Sequence, residues 1–434
     1  MSRTLRTGLF ALLVVIAIQV APAAAEPPQS KPNGPWITPN QTESLSAIRD
    51  YGELIRTLER TVASSRGAAR LTYSPYRAKG SGRAIPIVTI GSGPRGIMII
   101  ANQHGDEYVV SNSAVEIIRA LASSSAEARF IRDQLTVTIM PRVNIDGFDA
   151  TPTGSPWRQN VDPNVCPTGP CPAFYTRNRG YDINRYHSYL VSDPLDDPNT
   201  GPVGVGRGDN PVPEALAARR AYDDAGGPQV VEVVMDLHHQ GTPLDAEGNM
   251  VTGSTLWPNA TATADALGIR PQFDQVIFRS KQVVATLLNA LERRGYANFS
   301  RYPGTTPPGI SRNAYGLLGS ASVLVELRAV GQKANGYLAK TGFMTGISVI
   351  EALADGSLYT TDIAPAEALA LAPGNASLFG KCLAPREYTL ENYNFCREKL
   401  GLAPVSTLPP REEAEPDSDE AVVVGEEHVD WSTE

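Results

Sequence analysis

The sequence predicts an α/β fold: a single domain with a mixed, mostly parallel central sheet that is flanked by helices. Two observations predict it. Short apolar runs typical of strands alternate with longer stretches in which apolar residues recur at helical spacing. Several of the short runs are apolar at almost every position, as strands covered on both faces are. A chain of 434 residues with 42% hydrophobic residues is large enough for such a core.

The predicted elements follow one another along the middle of the chain. Buried strands are predicted at 84–90, 96–102, 134–140, 230–237 and 322–327. Helices are predicted at 42–65, 108–122, 211–225, 273–295 and 338–356. Residues 150–210 are rich in Pro, Gly, Asn and Asp without periodicity, so we expect a long functional loop or an insertion there.

Both ends of the chain differ from this middle part. Two arginines, an apolar run and the small residues APAAA predict a secretory signal that is cleaved after Ala25, and therefore a secreted or periplasmic protein. The expected organisation is a signal peptide (1–25), an extended segment (26–44), the main domain (45–360), a C-terminal extension (361–404) and an acidic, disordered tail (405–434).

The charge of the chain excludes one class of partner. The formal net charge is −8, and residues 405–434 alone carry ten acids and one arginine, so the rest of the chain is near neutral. A nucleic-acid surface would need a basic face, so we expect no nucleic-acid partner. The apolar run of the signal is short for a membrane span, and no later run is long enough. The oligomeric state stays open.

The four cysteines are compatible with export. Disulfides form in exported proteins, and the simplest pairing joins Cys166 to Cys171 and Cys382 to Cys396, although four cysteines allow three connectivities. A zinc cluster is the alternative, but the sequence contains no C-x-x-C pair.

Polar residues that can bind a metal stand at the ends of three predicted strands. The run RGIMII leads into His104 and Glu107, VVEVVMDL leads into His238 and His239, and SVLV leads into Glu326. In an open α/β sheet, ligands bind beyond the carboxyl ends of the strands. Two histidines and one carboxylate make a catalytic zinc site with an open position. Strand alternation lets only one of the adjacent histidines face the metal.

Several ordered motifs over residues 45–355 resemble the zinc carboxypeptidase family of the carboxypeptidase A and carboxypeptidase T type. QHGDE (103–107) resembles the family's H-x-x-E, and MDLHHQ (235–240) its strand with the last zinc histidine. MPRVNIDGFD (140–149) is similar to N-P-D-G-F, with Ile145 in place of proline. Three more segments that resemble family motifs are WRQN (157–160), GYDINR (180–185) and VELR (325–328).

The resemblance implies an enzyme, a zinc-dependent metallocarboxypeptidase, that acts on peptides with a free C-terminal carboxylate. It implies one Zn²⁺ ion held by His104, Glu107 and His238, with Asp182 behind His104. It implies Glu326 as general base and Arg158 as the residue that polarises the scissile carbonyl. Asn184 and Arg185 would hold the substrate carboxylate, and Tyr302 stands near the position of the family's capping tyrosine.

Other interpretations stay open at this stage. Arg177 and Arg179 compete with Arg158 for its role, and His187 could line the cleft. Ser311 and Arg312 fall near the family's specificity position, where a buried arginine would favour an acidic side chain. The alternative functions are an aspartoacylase-like zinc amidohydrolase of N-acyl amino acids, a carboxypeptidase of peptidoglycan stem peptides, and a secreted binding protein without catalysis.

Overall fold

A computed structural model describes residues 50–149, 156–162, 166, 168–169, 171–190, 210–241, 243, 245, 251–293, 298–328, 331–371, 389–391, 394 and 403–407. Its helices are α1 (Tyr51–Ser64), α2 (Tyr108–Ala122), α3 (Ala126–Gln134), α4 (Ile145–Phe148), α5 (Pro213–Asp224), α6 (Thr261–Ala266), α7 (Arg270–Arg293), α8 (Ser311–Leu318), α9 (Gly331–Asp355) and α10 (Ala364–Glu367). Its strands are β1 (Ala69–Arg77), β2 (Ala84–Ile90), β3 (Arg95–Ala101), β4 (Leu135–Met140), β5 (Tyr175–Thr176), β6 (Gly180–Tyr181), β7 (Val231–Gln240), β8 (Gly253–Leu256), β9 (Phe299–Arg301) and β10 (Ala321–Arg328).

Eight of the strands form one mixed sheet in the order β1-β2-β4-β3-β7-β10-β8-β9. The central strands β4, β3, β7 and β10 are parallel to one another, whereas β1, β2 and β8 pair with their inner neighbours in the antiparallel direction. The carboxyl ends of β3, β7 and β10 therefore lie at the same edge of the sheet. The predicted α/β class and mixed sheet are confirmed.

Helices cover both faces of this sheet, and strand β7 shows how. Val233, Met235 and Leu237 pack into the apolar cluster that includes α2, α7 and α9. Val234 belongs to the opposite cluster, which includes residues of α5 and α8. Since successive side chains of a strand alternate, Asp236 and His238 continue the face of Val234. None of the described helices combines the length and the apolarity that a membrane span needs.

The predicted elements agree with the structure wherever the apolar runs are long. Strands β2, β3, β4, β7 and β10 correspond to the five predicted strands, with ends that differ by at most three residues. The prediction missed β1, α3 and α8, and it also missed the shorter elements α4, α6, α10, β5, β6, β8 and β9. Strand β1 has a mostly exposed or half-buried pattern at the edge of the sheet, so its sequence lacks a continuous apolar run. Helix α9 begins at Gly331, seven residues before its predicted start.

Candidate metal centre and active site

The turn after β3 has a conformation that brings His104 and Glu107 to the edge of the sheet. Asn102 adopts a positive φ of 57°, and its side-chain amide donates a hydrogen bond to the carbonyl of His104 at 2.6 Å. Asparagine tolerates this left-handed conformation better than most residues. Gly105 lies against the backbone of Gly147, so closely that a Cβ would come within 2.1 Å of its carbonyl carbon. Helix α2 then begins directly after Glu107.

The side chains of His104, Glu107 and His238 converge on one point. The two Nδ1 atoms of the histidines are 3.1 Å apart. Oε1 of Glu107 lies 2.6 Å from Nδ1 of His104, and its Oε2 lies 2.7 Å from Nδ1 of His238. One ligand atom from each residue lies within 4.8 Å of the others, and all three side chains are buried. Two imidazole nitrogens and a carboxylate are the donor set of a catalytic zinc ion, so these residues fit one such ion.

A carboxylate stands behind each of the two histidines. Asp182 Oδ1 lies 3.1 Å from Nε2 of His104, and Asp236 Oδ1 lies 2.9 Å from Nε2 of His238. A carboxylate can only accept, so each Nε2 carries the proton and each Nδ1 keeps its lone pair for a metal. Asp182 was predicted from the sequence, whereas Asp236 was not. The D-x-H spacing was the available signal, because residues i and i+2 of a strand share a face.

Electrostatics keep the carboxylates of this group ionised. Burial alone would raise the pKa of Glu107, but His104 and His238 beside it hold that pKa well below its usual range. Burial would also raise the pKa of Asp182, and the cations of Arg185 and Arg158 lower it. Carboxylates bind a metal in their ionised form.

Glu326 is the neighbour of His238 on the adjacent strand β10. Its side chain is buried, and its Oε2 atom has no hydrogen-bond partner among the described residues. Burial raises the pKa of Glu326 to about 8; the charge of His238 opposes that rise and the charge of Glu107 adds to it. Glu326 is thus a buried titratable group that lies beside His104, Glu107 and His238, the three residues called the metal group below.

Arg158, in the segment 156–162, lies at the same edge of the sheet. Its backbone carbonyl accepts hydrogen bonds from the amide of Gly105 and from the side chain of Asn144. Its guanidinium lies 3.1 Å from Asp182 Oδ2 and 3.7 Å from Glu107 Oε1. Arg177, in contrast, donates to the carbonyls of Cys166 and Gly169. The geometry thus brings Arg158, and not Arg177, to the metal group.

Arg185 and Asn184 lie next to each other on the short turn 183–185. Nη1 of Arg185 is 3.6 Å from Asp182 Oδ2, and the Arg185 side chain is 20% exposed, so it can meet a ligand. The amide of Asn184 is buried: its Oδ1 accepts from the backbone N–H of Ser311 at 2.8 Å, and its Nδ2 lies 3.4 Å from Asp236 Oδ2. Asn184 therefore links the N-terminus of α8 to the carboxylate behind His238.

Tyr302 and Arg312 complete the surroundings. Burial and the charge of Glu326 raise the pKa of Tyr302 above its usual value, against the opposing charges of Arg158 and Arg185. Arg312 is only 2% exposed, and its Nη2 donates to Asn259 Oδ1 and to the carbonyl of Thr305. Burial lowers the pKa of Arg312 to about 10.

The other candidates occupy different places. His239 points to the opposite face of β7, where its ring lies 6.2 Å from that of Tyr108. Asp106 is not part of the metal group, and burial together with Glu107 raises its pKa to about 6. His187 is fully buried and bonds to Gln103 and Tyr315, so it does not line an open cleft. Glu214 lies in the first turn of α5 and accepts hydrogen bonds from Lys79 N and Asn160 Nδ2.

The cysteine prediction is confirmed for one pair: Cys166 and Cys171 form a disulfide. The second predicted pair, Cys382 and Cys396, lies outside the described residues, as do the predicted signal peptide and most of the acidic tail.

Comparisons with solved structures show the same fold. Bovine thrombin-activatable fibrinolysis inhibitor, in complex with tick carboxypeptidase inhibitor, matches with a TM-score of 0.50 and 13% identity over 73% of this chain and 99% of that chain. Carboxypeptidase A from Helicoverpa armigera matches with a TM-score of 0.50 and 16% identity over 72% of this chain and 75% of that chain. A succinylglutamate desuccinylase/aspartoacylase from Rhodobacter sphaeroides has a TM-score of 0.38, which is too low to bear on the activity. No curated protein matches the chain.

The fold and the two-histidine, one-glutamate donor set define a zinc hydrolase. A family model for zinc carboxypeptidases matches residues 80–353, more than half of the sequence, and the chain belongs to this family. It is accordingly an enzyme of the zinc-dependent metallocarboxypeptidase class, with a group of residues that can hold one metal ion.

Proposed function

We propose that this protein is an exported zinc metallocarboxypeptidase that hydrolyses the C-terminal peptide bond of peptides. The observation that carries the proposal is the shared use of Asp182. Its Oδ1 lies 3.1 Å from Nε2 of His104, while its Oδ2 lies 3.1 Å from Arg158 and 3.6 Å from Arg185. One carboxylate thus holds a metal-binding histidine and two cations side by side, as cleavage next to a terminal carboxylate requires.

The metal ligands in this proposal are His104, Glu107 and His238. When bound there, zinc supplies a Lewis acid that polarises the scissile carbonyl and acidifies the attacking water. Glu326 takes the proton of that water and later gives it to the leaving amine. Two observations support this role: the side chain is buried, and its Oε2 has no partner in the part of the chain that the structure describes.

Arg158 and Arg185 have different roles in the reaction. Arg158 donates hydrogen bonds to the oxyanion that develops on the carbonyl oxygen. Arg185 binds the terminal carboxylate of the substrate, for which the planar guanidinium is well suited. Asn184 stands between this clamp and the metal group, and Tyr302 covers the bound substrate. The clamp makes the enzyme an exopeptidase, because only a chain end presents a free carboxylate.

Export rests on the sequence of residues 1–25, with cleavage near Ala25. An exported carboxypeptidase meets peptides outside the cytoplasm, and peptidoglycan stem peptides are the alternative substrate class there.

The experiment compares two forms of one peptide, with a free and with an amidated C-terminus, in the presence of zinc or of a chelator. We expect release of the last residue from the free form only, and loss of that release with the chelator. Cleavage of both forms at equal rates would refute the carboxylate clamp. Hydrolysis of N-acyl amino acids without cleavage of either peptide would support the aspartoacylase-like alternative, and no zinc-dependent hydrolysis at all would support a binding protein.

A further inference from the structure

A chain of buried polar side chains runs from helix α8 to the metal group. The hydroxyl of Tyr315 lies 3.3 Å from Nδ1 of His187, and Nε2 of His187 lies 2.5 Å from Oε1 of Gln103. Nε2 of Gln103 lies 2.6 Å from Oδ1 of Asp236, which in turn contacts Nε2 of His238 at 2.9 Å. All five residues have no exposed surface.

The hydrogen bonds between these side chains can all form in only one direction. The carboxylate of Asp236 accepts, so both Gln103 Nε2 and His238 Nε2 are donors to it. The other end of the Gln103 amide is then its oxygen, which accepts from His187 Nε2. His187 must therefore carry its proton on Nε2 and accept the Tyr315 hydroxyl at Nδ1. A flipped Gln103 would turn its oxygen toward the carboxylate of Asp236, which is unfavourable.

The neutral form of His187 suits its place in this sequence of bonds. Burial lowers the pKa of His187 to about 4, so the ring has one N–H donor and one acceptor nitrogen near neutral pH. Asn184 approaches the same pair from the other side: its Oδ1 accepts from the backbone N–H of Ser311, and its Nδ2 lies 3.1 Å from His238 Nε2 and 3.4 Å from Asp236 Oδ2. A buried polar group without a hydrogen-bond partner is energetically costly. The orientation of each side chain in this series is therefore fixed by its neighbour.

We propose that His187 and Gln103 are positioning residues that, through Asp236, hold the His238 ring in the orientation and Nε2–H tautomer that leave Nδ1 free for the metal. The inference rests on the zinc site of the proposed function. Groups behind a metal-binding histidine raise its basicity and fix its ring. Here that support extends two side chains beyond the carboxylate, to a histidine 51 positions before the ligand in the sequence.

The test measures the zinc dissociation constant of the purified full chain by competition with a chromophoric chelator, without any substrate. We expect His187→Leu to weaken zinc binding about tenfold, the lower end of what loss of such support costs. His187→Gln keeps an N–H donor for Gln103 and should recover most of the affinity. Gln103→Met is close in volume but removes the hydrogen bonds in the middle of this series. It should weaken zinc binding at least as much.

Tyr222→Phe is the matched control. Like the test variants it removes a buried polar group, here the hydroxyl that bonds to Ser320, and the Tyr222 ring packs 4.9 Å from the ring of Tyr315. Tyr222 takes no part in the described bonds to Gln103. Its zinc affinity should equal that of the wild type. The unfolding midpoint of each metal-free variant separates a loss of stability from a loss of zinc affinity.

Unchanged zinc affinity in both His187→Leu and Gln103→Met would overturn the inference. An equal loss in Tyr222→Phe would do the same, because it would point to general destabilisation. The two failures can be told apart: a wild type that binds zinc but cleaves no peptide defeats the proposed function alone. A wild type that cleaves peptides while both variants bind zinc normally defeats only the inference.

Discussion

The buried carboxyl group of Glu214 makes a prediction about stability and pH. Glu214 has no exposed surface and lies in the first turn of α5, where it accepts hydrogen bonds from Lys79 N at 2.7 Å and from Asn160 Nδ2 at 2.9 Å. Burial raises its pKa from 4.5 to about 7, against the effect of these hydrogen bonds. The folded protein therefore holds a proton on this group at a pH where the unfolded chain has lost it.

The magnitude follows from the difference between the two pKa values. A shift of about 2.5 units, at about 1.4 kcal/mol per unit, corresponds to about 3 kcal/mol. Because the folded pKa is the raised one, this contribution to stability is fully present below about pH 4.5 and is lost as the pH rises through about 7. Between pH 5 and pH 8 the wild type should lose about 2 to 3 kcal/mol from this group alone.

The variant Glu214→Gln carries no ionisable group at this position. Its free energy of unfolding, relative to the wild type, should rise by about 2 to 3 kcal/mol between pH 5 and pH 8, whatever the offset at pH 5. Urea unfolding of the metal-free proteins at pH 5, 6.5 and 8 measures this difference. Glu59→Gln, the same change at an exposed site on α1, reports the effect of the amide itself. A difference between wild type and Glu214→Gln that stays constant from pH 5 to pH 8 would refute the reasoning.

Two further predictions concern the reaction. Glu326→Gln should lower kcat/KM for a free-ended peptide by about 10² to 10⁴, the usual contribution of a general base, while zinc affinity stays near that of the wild type; a loss below about tenfold would exclude Glu326 from proton transfer. Arg312 is a buried cation without an ion-pair partner among the described residues, so the wild type should prefer peptides that end in Glu or Asp, and Arg312→Met should lose that preference. A panel of peptides that differ only in the last residue measures this, and a wild-type preference for Phe or Leu would contradict it.

Much of the fold could be predicted because its central strands are covered on both faces. Strands such as 96–102 and 322–327 are almost wholly apolar, and a run of that kind has few other places in a soluble domain. Strand β1 was missed for the opposite reason: at the edge of the sheet it has exposed positions and no clear apolar run. Helix α8 was missed because its eight residues contain Gly316 and begin with Ser311, Arg312 and Asn313, although all eight are buried.

The metal group was accessible from the sequence through local rules. His104 and Glu107 share one turn at i and i+3, and alternation along β7 separates His238 from His239. The ordered motifs of the zinc carboxypeptidase family then joined residues that are far apart in the chain. The choice between Arg158 and Arg177 had no local rule, since it depends on how the segment at 157–160 packs against the turn at Gly105.

By itself, then, the sequence determined the α/β class, the ligand types and the strand ends that carry them. Only the tertiary structure decided that His104 and His238, 134 positions apart, bring their Nδ1 atoms within 3.1 Å, because this depends on β3 and β7 being neighbours in the sheet. Only the tertiary structure brought Gln103, His187 and Tyr315 behind Asp236. The physical reason is the same in each case: periodicity reports on residues that share an element, whereas hydrogen bonds between elements depend on the order and spacing in which the strands and helices pack.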